Sequence, residues 1–553
     1  MLYFQKIALS SLILSTFFLL VTTDRISFDQ KENESQNTRT PNILLLVADD
    51  LGYADLGCYG GDIETPNIDK IAAQGIRFSR FHTSPYCAPS RAMLLSGNDN
   101  HIAGMGSQDL VSDEFGYEGK LSNRVATLPQ VLRNAGYQTY ITGKWHLGFE
   151  PDADPHEKGF DYSFVNLFGE GNHYDDQGWN EANPVTLYSE HGRPAHWKNG
   201  KYSTDFYTDK LIQFIDQYRD DDQPFFAMAS YTSPHWPLQV DKKYWKKYQG
   251  KYDEGYENLK QKRFESLKRA GMIPQNAELP PSHPLIKPWG SLTDEEKRVE
   301  SRKMELYAGM VDNLDYNVGR LIDYLKDIGE FDNTMIVFIS DNGAAGEDFY
   351  HHDYYGPYVQ QFFTESYDLM GQPDSFISYG PQWAEAGTSP FKYYKSFTTE
   401  GGMNAPMIIS GPGIDPKNTI NHEFITIMDL APTFYEVAKT SYPKRFLGSL
   451  TYPLKGSSLL PTIMGGTDPV HGPDYVFGFE HRNYAMLRKG SWKITNLDGR
   501  LDKKNFKLYD LSKDLAEQHD LKEVEKSKFD ELLSEWDKFA EEIKVQVPVP
   551  APK

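Results

Sequence analysis

The sequence predicts an α/β fold: a large, mixed, mostly parallel sheet sandwiched by helices, with a smaller C-terminal α+β domain. Three observations carry that prediction. Three short apolar runs, Asn42–Ala48 (NILLLVA), Phe225–Ser230 (FFAMAS) and residues 335–340 (MIVFIS), lack polar alternation, as strands covered on both faces do. Helical patterns lie between them. The clearest covers 305–328, where Leu306, Met310, Val311, Leu314, Val318, Leu321, Ile322 and Leu325 keep helical spacing. After about residue 440 the texture changes to short runs at 475–479, 485–488 and 492–496, expected to pair antiparallel, and an amphipathic helix over 524–543.

These elements divide the 553 residues into a domain over 41–440 and a second over 441–553. Two stretches interrupt the first. Residues 241–302, rich in Lys, Glu and Tyr, read as a surface insertion, and 346–395 is crowded with aromatics. Ahead of both, Lys6 precedes an apolar run over 7–21, too short for a comfortable membrane span and matching a signal peptide over 1–23. A polar, flexible leader over 24–40 follows, and the protein is expected to be exported, periplasmic or secreted. A net charge of −21, spread along the chain, argues against nucleic acid and against an anionic membrane as partners. An oxidising compartment favours disulfides, so Cys58 and Cys87, the two cysteines, have pairing as one reading.

Chemistry gathers where the apolar runs end. Asp49 and Asp50 follow the first, Ser233-Pro234-His235 the second, and Asp341-Asn342-Gly343 the third. Ligands of open α/β sheets bind beyond the carboxyl ends of strands, so the three tips should converge. Asp49, Asp50, Asp341 and the amide oxygen of Asn342 form an all-oxygen set, which selects Ca2+ or Mg2+ over zinc. Three carboxylates in one place repel, and a divalent cation is expected to relieve them. Cys87-Ala88-Pro89-Ser90-Arg91 runs into an apolar stretch and places the sulfur at a helix start, where free N–H groups favour an anion.

CAPSR at 87–91, with ADDLGYADLGCYG upstream and TGKWHLG downstream, resembles the type I sulfatases of the alkaline phosphatase superfamily. The likeness continues through DNG at 341–343 and KSFTTEGG at 395–402 to LYDLSKD at 508–514, and SGNDNHIAGMG at 96–106 looks most like the bacterial aryl- and alkyl-sulfatase branch. The resemblance implies an alkaline-phosphatase-like fold and hydrolysis of sulfate esters, with an aryl sulfate or a sulfated carbohydrate as substrate. It implies that a maturation enzyme converts Cys87 to Cα-formylglycine (3-oxoalanine), whose hydrate is the nucleophile. Asp49, Asp50, Asp341, Asn342 and the modified Cys87 match the metal ligands. Arg91 matches the arginine that orients the hydrate. Lys144 matches the lysine bridging nucleophile and sulfate, His146 the histidine that triggers breakdown of the sulfated enzyme. His235 matches the histidine beside the leaving oxygen, and Lys395 the second sulfate-binding lysine, with Lys392 as its rival. His82, His101, His173, His351 and His352 belong to no motif. A formylglycine-dependent phosphonate or phosphodiester hydrolase is the alternative on the same fold. Two-zinc phosphatases fit less well, because Asn342 stands where they need a histidine.

Overall fold

Each of the three apolar runs is a strand at the centre of one sheet, Asn42–Ala48, Phe225–Ser230 and Thr334–Ser340. The computed structural model describes residues 39–197, 200–220 and 223–546. The signal peptide at 1–23 and most of the leader at 24–40 lie outside the described residues.

Eleven strands form that sheet. Thr334–Ser340, Asn42–Ala48, Phe225–Ser230, Gln138–Lys144 and Tyr162–Asn166 lie side by side and parallel. Asn404–Ser410 runs against Thr334–Ser340, and Gly75–His82 pairs antiparallel with it in turn, which makes the sheet mixed. Side chains alternate between two cores. Ile43, Leu45 and Val47 enter one, while Leu44, Leu46 and Ala48 enter the other. Burial on both faces is why these strands show no polar period.

The register sets the chemistry at one edge. Ala48 pairs with Ser340, Val47 with Ser230, and Gly143 with Ser230. Asp49 and Asp341 therefore leave the sheet at one level, with Tyr231 and Lys144 one residue short of it.

The long helix spans Asp294–Asp327, beginning well before the apolar period at 305. A reciprocal capping box fixes its start: Thr293 accepts the Glu296 N–H, and Glu296 accepts the Thr293 N–H. The stretch at 241–302 is no loose surface insertion. It contains the helix Tyr256–Arg269, and Trp245, Tyr248, Tyr252, Tyr256, Leu259 and Phe264 are buried in the second core. Its charges line the outer face and mask an aromatic inner one.

At the C-terminal end Val476–His481, Tyr484–Lys489, Trp492–Asn496 and Lys507–Asp510 form a separate antiparallel sheet. The helix Lys526–Glu542 packs on it. Phe477, Phe479, Leu487, Ile494 and Trp536 belong to the same apolar core as Ile43 and Val47.

Candidate active site

Cys87 opens the helix Cys87–Ser96, so Pro89 is its third residue rather than its first. All ten residues are buried, and the preceding Tyr86, extended at φ −142°, provides no side-chain cap. The first N–H groups of this helix thus stay available to an anion. Both cysteines are free, Cys58 half-buried and Cys87 buried. The Cys87 Sγ lies 3.8 Å from Asp50 Oδ1. Burial pushes its thiol well up, and Lys144 and Lys395 only partly offset that. An unmodified thiol here stays protonated and is a poor nucleophile.

The three strand tips converge. Asp49 donates its backbone N–H to Ser233 O at 3.1 Å, and Asp50 donates its own to Asp341 Oδ1 at 3.3 Å. Asp49, Asp50, Cys87 and His235 present ligand-capable atoms that all lie within 4.8 Å of one another. Asp341 turns instead to Arg91, which donates from Nε to its Oδ2 at 2.9 Å and holds Nη2 in ion-pair contact with the same oxygen at 2.8 Å. Arg91 also reaches Lys144 O and Ser230 Oγ, at 3.2 and 2.5 Å.

Positive charge balances the carboxylates group by group. Lys144 Nζ donates to both oxygens of Asp49, at 2.9 and 2.8 Å, and Lys395 Nζ donates to Asp50 Oδ2 at 2.9 Å. With Arg91 on Asp341, three cations face three carboxylates. These cations share in offsetting the repulsion that a divalent ion is expected to relieve. Burial pushes Asp49 up to about 8 despite Lys144. Burial acts the same way on Asp50, but Lys395, His235 and Lys144 outweigh it and hold that carboxyl well below its usual range.

A hard cation still fits. Asn342 directs Nδ2 at Asp50 Oδ1, 2.6 Å away, and its own Oδ1 is buried with no partner. Amide oxygen and nitrogen exchange by a simple flip, which turns an orphaned acceptor toward the carboxylates. Asp49, Asp50 and Asn342 can thus offer oxygens to a cation beside Cys87 and His235.

Two histidines flank the cluster. His235 Nδ1 lies 2.7 Å from Trp236 O, so that nitrogen carries the proton. Its Nε2 faces Lys395 Nζ and Asp50 Oδ2, each at 3.4 Å. His146 has no partner for its Nδ1. Burial lowers both imidazoles well below their ordinary values; beyond it, Lys144 and Lys395 lower them further, while Asp50 opposes at His235. Asp50 at φ 66° and His146 at φ 59° both occupy the left-handed region, strain of the kind found at working sites.

Lys392 points elsewhere, donating to Glu517 O at 2.9 Å, so of the two rivals only Lys395 joins the cluster. The remaining histidines stand apart. His82 pairs with Glu400 at 2.7 Å and His101 with Glu480 at 3.3 Å, while His351 lies exposed between Asp348 and Glu365. His352 accepts from the Tyr354 N–H in an exposed turn. His173 is closer to the chemistry, its Nε2 3.1 Å from the carbonyl of His235, where it supports that loop.

Four further residues shape the site without a sequence motif. Ser230 ties Arg91 to Lys144 O. Trp236 packs 4.3 Å from the His235 ring and 4.5 Å from Phe349, so the aromatic stretch after residue 346 does wall the site. Gly169, at φ +93°, lies where a Cβ would come within 2.7 Å of His146 Nδ1 and 2.8 Å of Lys144 Cε. Only the position of Ser230, the last residue of an apolar run, hinted at any of them.

A sheet ending in a cation-ready carboxylate cluster, with a buried cysteine at a helix start and lysines on either side, defines a hydrolase of anionic esters. The sulfatase family model matches residues 41–440, and the chain belongs to that family, whose members hydrolyse sulfate esters. It is 40% identical over 523 residues to an uncharacterized sulfatase of Schizosaccharomyces pombe, covering 91% of this chain and 94% of that one. An arylsulfatase of Klebsiella aerogenes is 37% identical over 431 residues, covering 76% and 91%. Among solved structures, Ps i-CgsB superposes with a TM-score of 0.65 at 25% identity, covering 91% of this chain and 93% of the other.

Proposed function

We propose that the protein is an exported, formylglycine-dependent sulfatase acting on aryl sulfates or sulfated carbohydrates with one bound Ca2+ or Mg2+. The observation that carries this reading is Cys87 itself. It is a buried, protonated thiol at an uncapped helix start, 3.8 Å from Asp50 in a cluster flanked by Lys144 and Lys395. Oxidation to Cα-formylglycine replaces that unreactive sulfur with a carbonyl whose hydrate has two hydroxyls. One attacks sulfur; the other, on losing its proton, expels sulfate and restores the aldehyde. Export rests on the apolar run at 7–21. Among the described residues no helix is long and apolar enough to cross a membrane.

Asp49, Asp50, Asp341, Asn342 and the modified Cys87 would hold the cation. When bound, it supplies positive charge that stabilises negative charge on the sulfate oxygens. A sulfate then draws Lys144 and Lys395 away from their carboxylates, and both remain charged there, because neighbouring anions raise them despite burial. Arg91, fixed by Asp341, orients the hydrate. His235 Nε2 takes a proton when the anionic ester arrives and passes it to the departing oxygen. His146, neutral at rest, accepts the proton of the second hydroxyl.

The test is sulfate release from a panel of aryl sulfates and sulfated oligosaccharides, by protein made with a formylglycine-generating enzyme. The Cys87 peptide should show the mass of formylglycine. Turnover should vanish with Cys87→Ala and on chelation, and return with Ca2+ or Mg2+. Faster turnover of phosphonate monoesters or phosphodiesters than of every sulfate would favour the alternative hydrolase. Full activity with unmodified Cys87, or with Cys87 joined to Cys58, would sink the mechanism.

A further inference from the structure

A cavity beside the C-terminal sheet is not the site just described and shares none of its residues. It measures about 630 Å3, within the range of small-molecule sites. One wall is the strand Gly75–His82, through Ser79 and Arg80, and another is the strand Tyr484–Lys489, through Arg488. Phe424 and Tyr475 contribute apolar surface.

Two guanidiniums, Arg80 and Arg488, and two carboxylates, Glu400 and Glu423, line it. Arg80 is half-buried, and its side chain makes no hydrogen bond or ion pair among the described residues. Arg488 is 5% exposed, and its guanidinium lies flat on the Phe424 ring, 4.0 Å from the centroid. It donates to the Gly490 carbonyl at 3.0 Å and faces His82 Nε2 at 3.2 Å, and it pairs with no carboxylate. Burial pushes Arg488 down to about 10, with Arg80 adding to the effect and Glu400 opposing it.

Among the described residues neither guanidinium is bonded to a carboxylate at the cavity. Glu400 is held by Lys493 at 2.8 Å and His82 at 2.7 Å. Glu423 accepts the Val470 N–H at 3.0 Å. His471 is paired with Asp429 at 2.9 Å and stacks on Tyr475 at 3.7 Å. His422 shares a 2.7 Å hydrogen bond with Ser79 Oγ and adds no anion. Two guanidiniums without carboxylate partners, in a pocket of an otherwise acidic chain, are costly unless an anion joins them.

We propose that this cavity is a second, non-catalytic binding site for a ring-borne oxyanion, a sulfate or carboxylate on a flat ring. The oxyanion lies between Arg80 and Arg488, whose planar donors suit two-pronged contact with such a group. The ring lies beside Phe424 and Tyr475, whose remaining apolar surface a bare inorganic anion cannot use.

Titration calorimetry of the metal-loaded enzyme with naphthalene-2-sulfonate tests this. The wild type should bind two equivalents, one of them at the catalytic site and displaced by a competitive inhibitor of turnover. Arg80→Gln removes a side chain with no partner and should fold normally. It should weaken the second equivalent at least tenfold while leaving kcat/KM for nitrophenyl sulfate within twofold, and Arg80→Lys should recover part of the loss. Inorganic sulfate should bind the second site at least tenfold more weakly than the naphthalene sulfonate. A wild type with no equivalent beyond the one that the inhibitor displaces, or an unchanged second equivalent in Arg80→Gln, would overturn the proposal.

Discussion

Burial lowers both His146 and His235 well below an ordinary imidazole, yet the two rings are held differently. At His235 the Trp236 carbonyl fixes the proton on Nδ1, leaving Nε2 to titrate beside Asp50 and Lys395. A bound ester adds negative charge there, which favours protonation and readies Nε2 to donate. His146 has a buried Nδ1 without a partner, so nothing pins its tautomer until the hydrate forms. The two substitutions should therefore separate by leaving group. His235→Ala should cost about a hundred- to ten-thousand-fold on an alkyl or sugar sulfate and much less on nitrophenyl sulfate, whose leaving oxygen is already acidic. His146→Ala should slow both substrates by a similar factor and accumulate sulfated enzyme visible by mass. Equal losses on both substrates in both variants, with no sulfated enzyme, would show that the roles are misassigned.

At the scale of single elements, two helix starts show how differently an N-terminus is used. Cys87–Ser96 begins without a side-chain cap, leaving its N–H groups to the reaction, whereas Asp294–Asp327 is closed by Thr293 and Glu296. Thr293→Ala should accordingly lower stability by about 1 kcal/mol in urea unfolding and leave turnover unchanged. A drop in kcat would show instead that this helix start is coupled to the site. The central strands were legible because burial on both faces removes polar alternation, and the convergence of the polar tips was legible because each directly follows one of those strands. The buried side of 241–302 was not, since Lys and Glu on one face of the helix Tyr256–Arg269 hide Tyr256 and Phe264 on the other. The pairing of Lys144 with Asp49 and Lys395 with Asp50 was equally hidden. Sequence spacing locates a lysine near a carboxylate cluster but cannot say which oxygen it meets.

Across the whole molecule, the C-terminal sheet is joined to the catalytic edge by charge as well as by apolar contact. Lys493, on the strand Trp492–Asn496, is fully buried and holds Glu400 at 2.8 Å and Glu517 at 3.0 Å. Glu517 also accepts the Glu400 N–H at 2.7 Å, and Glu400 lies five residues beyond Lys395. Lys493→Met removes the cation and leaves two buried carboxylates facing each other, a change expected to cost roughly 3–5 kcal/mol. Adding Glu517→Gln should recover part of that, since the partners are directly coupled. The pH dependence has a definite sign. Burial raises Glu517 even with Lys493 opposing it, whereas Lys493 and His82 overcome burial to hold Glu400 well below its usual range. Without Lys493 both carboxyls rise above their unfolded values, so the folded variant binds protons more tightly than its unfolded chain. Its deficit should shrink as pH falls from 7 toward 5 and widen as pH rises. Because Glu400 anchors the segment carrying Lys395, kcat/KM should fall as well, even at temperatures where the variant stays folded. A variant that loses less than about 1 kcal/mol, with kcat/KM unchanged, would mean that the C-terminal sheet covers the catalytic edge without supporting it.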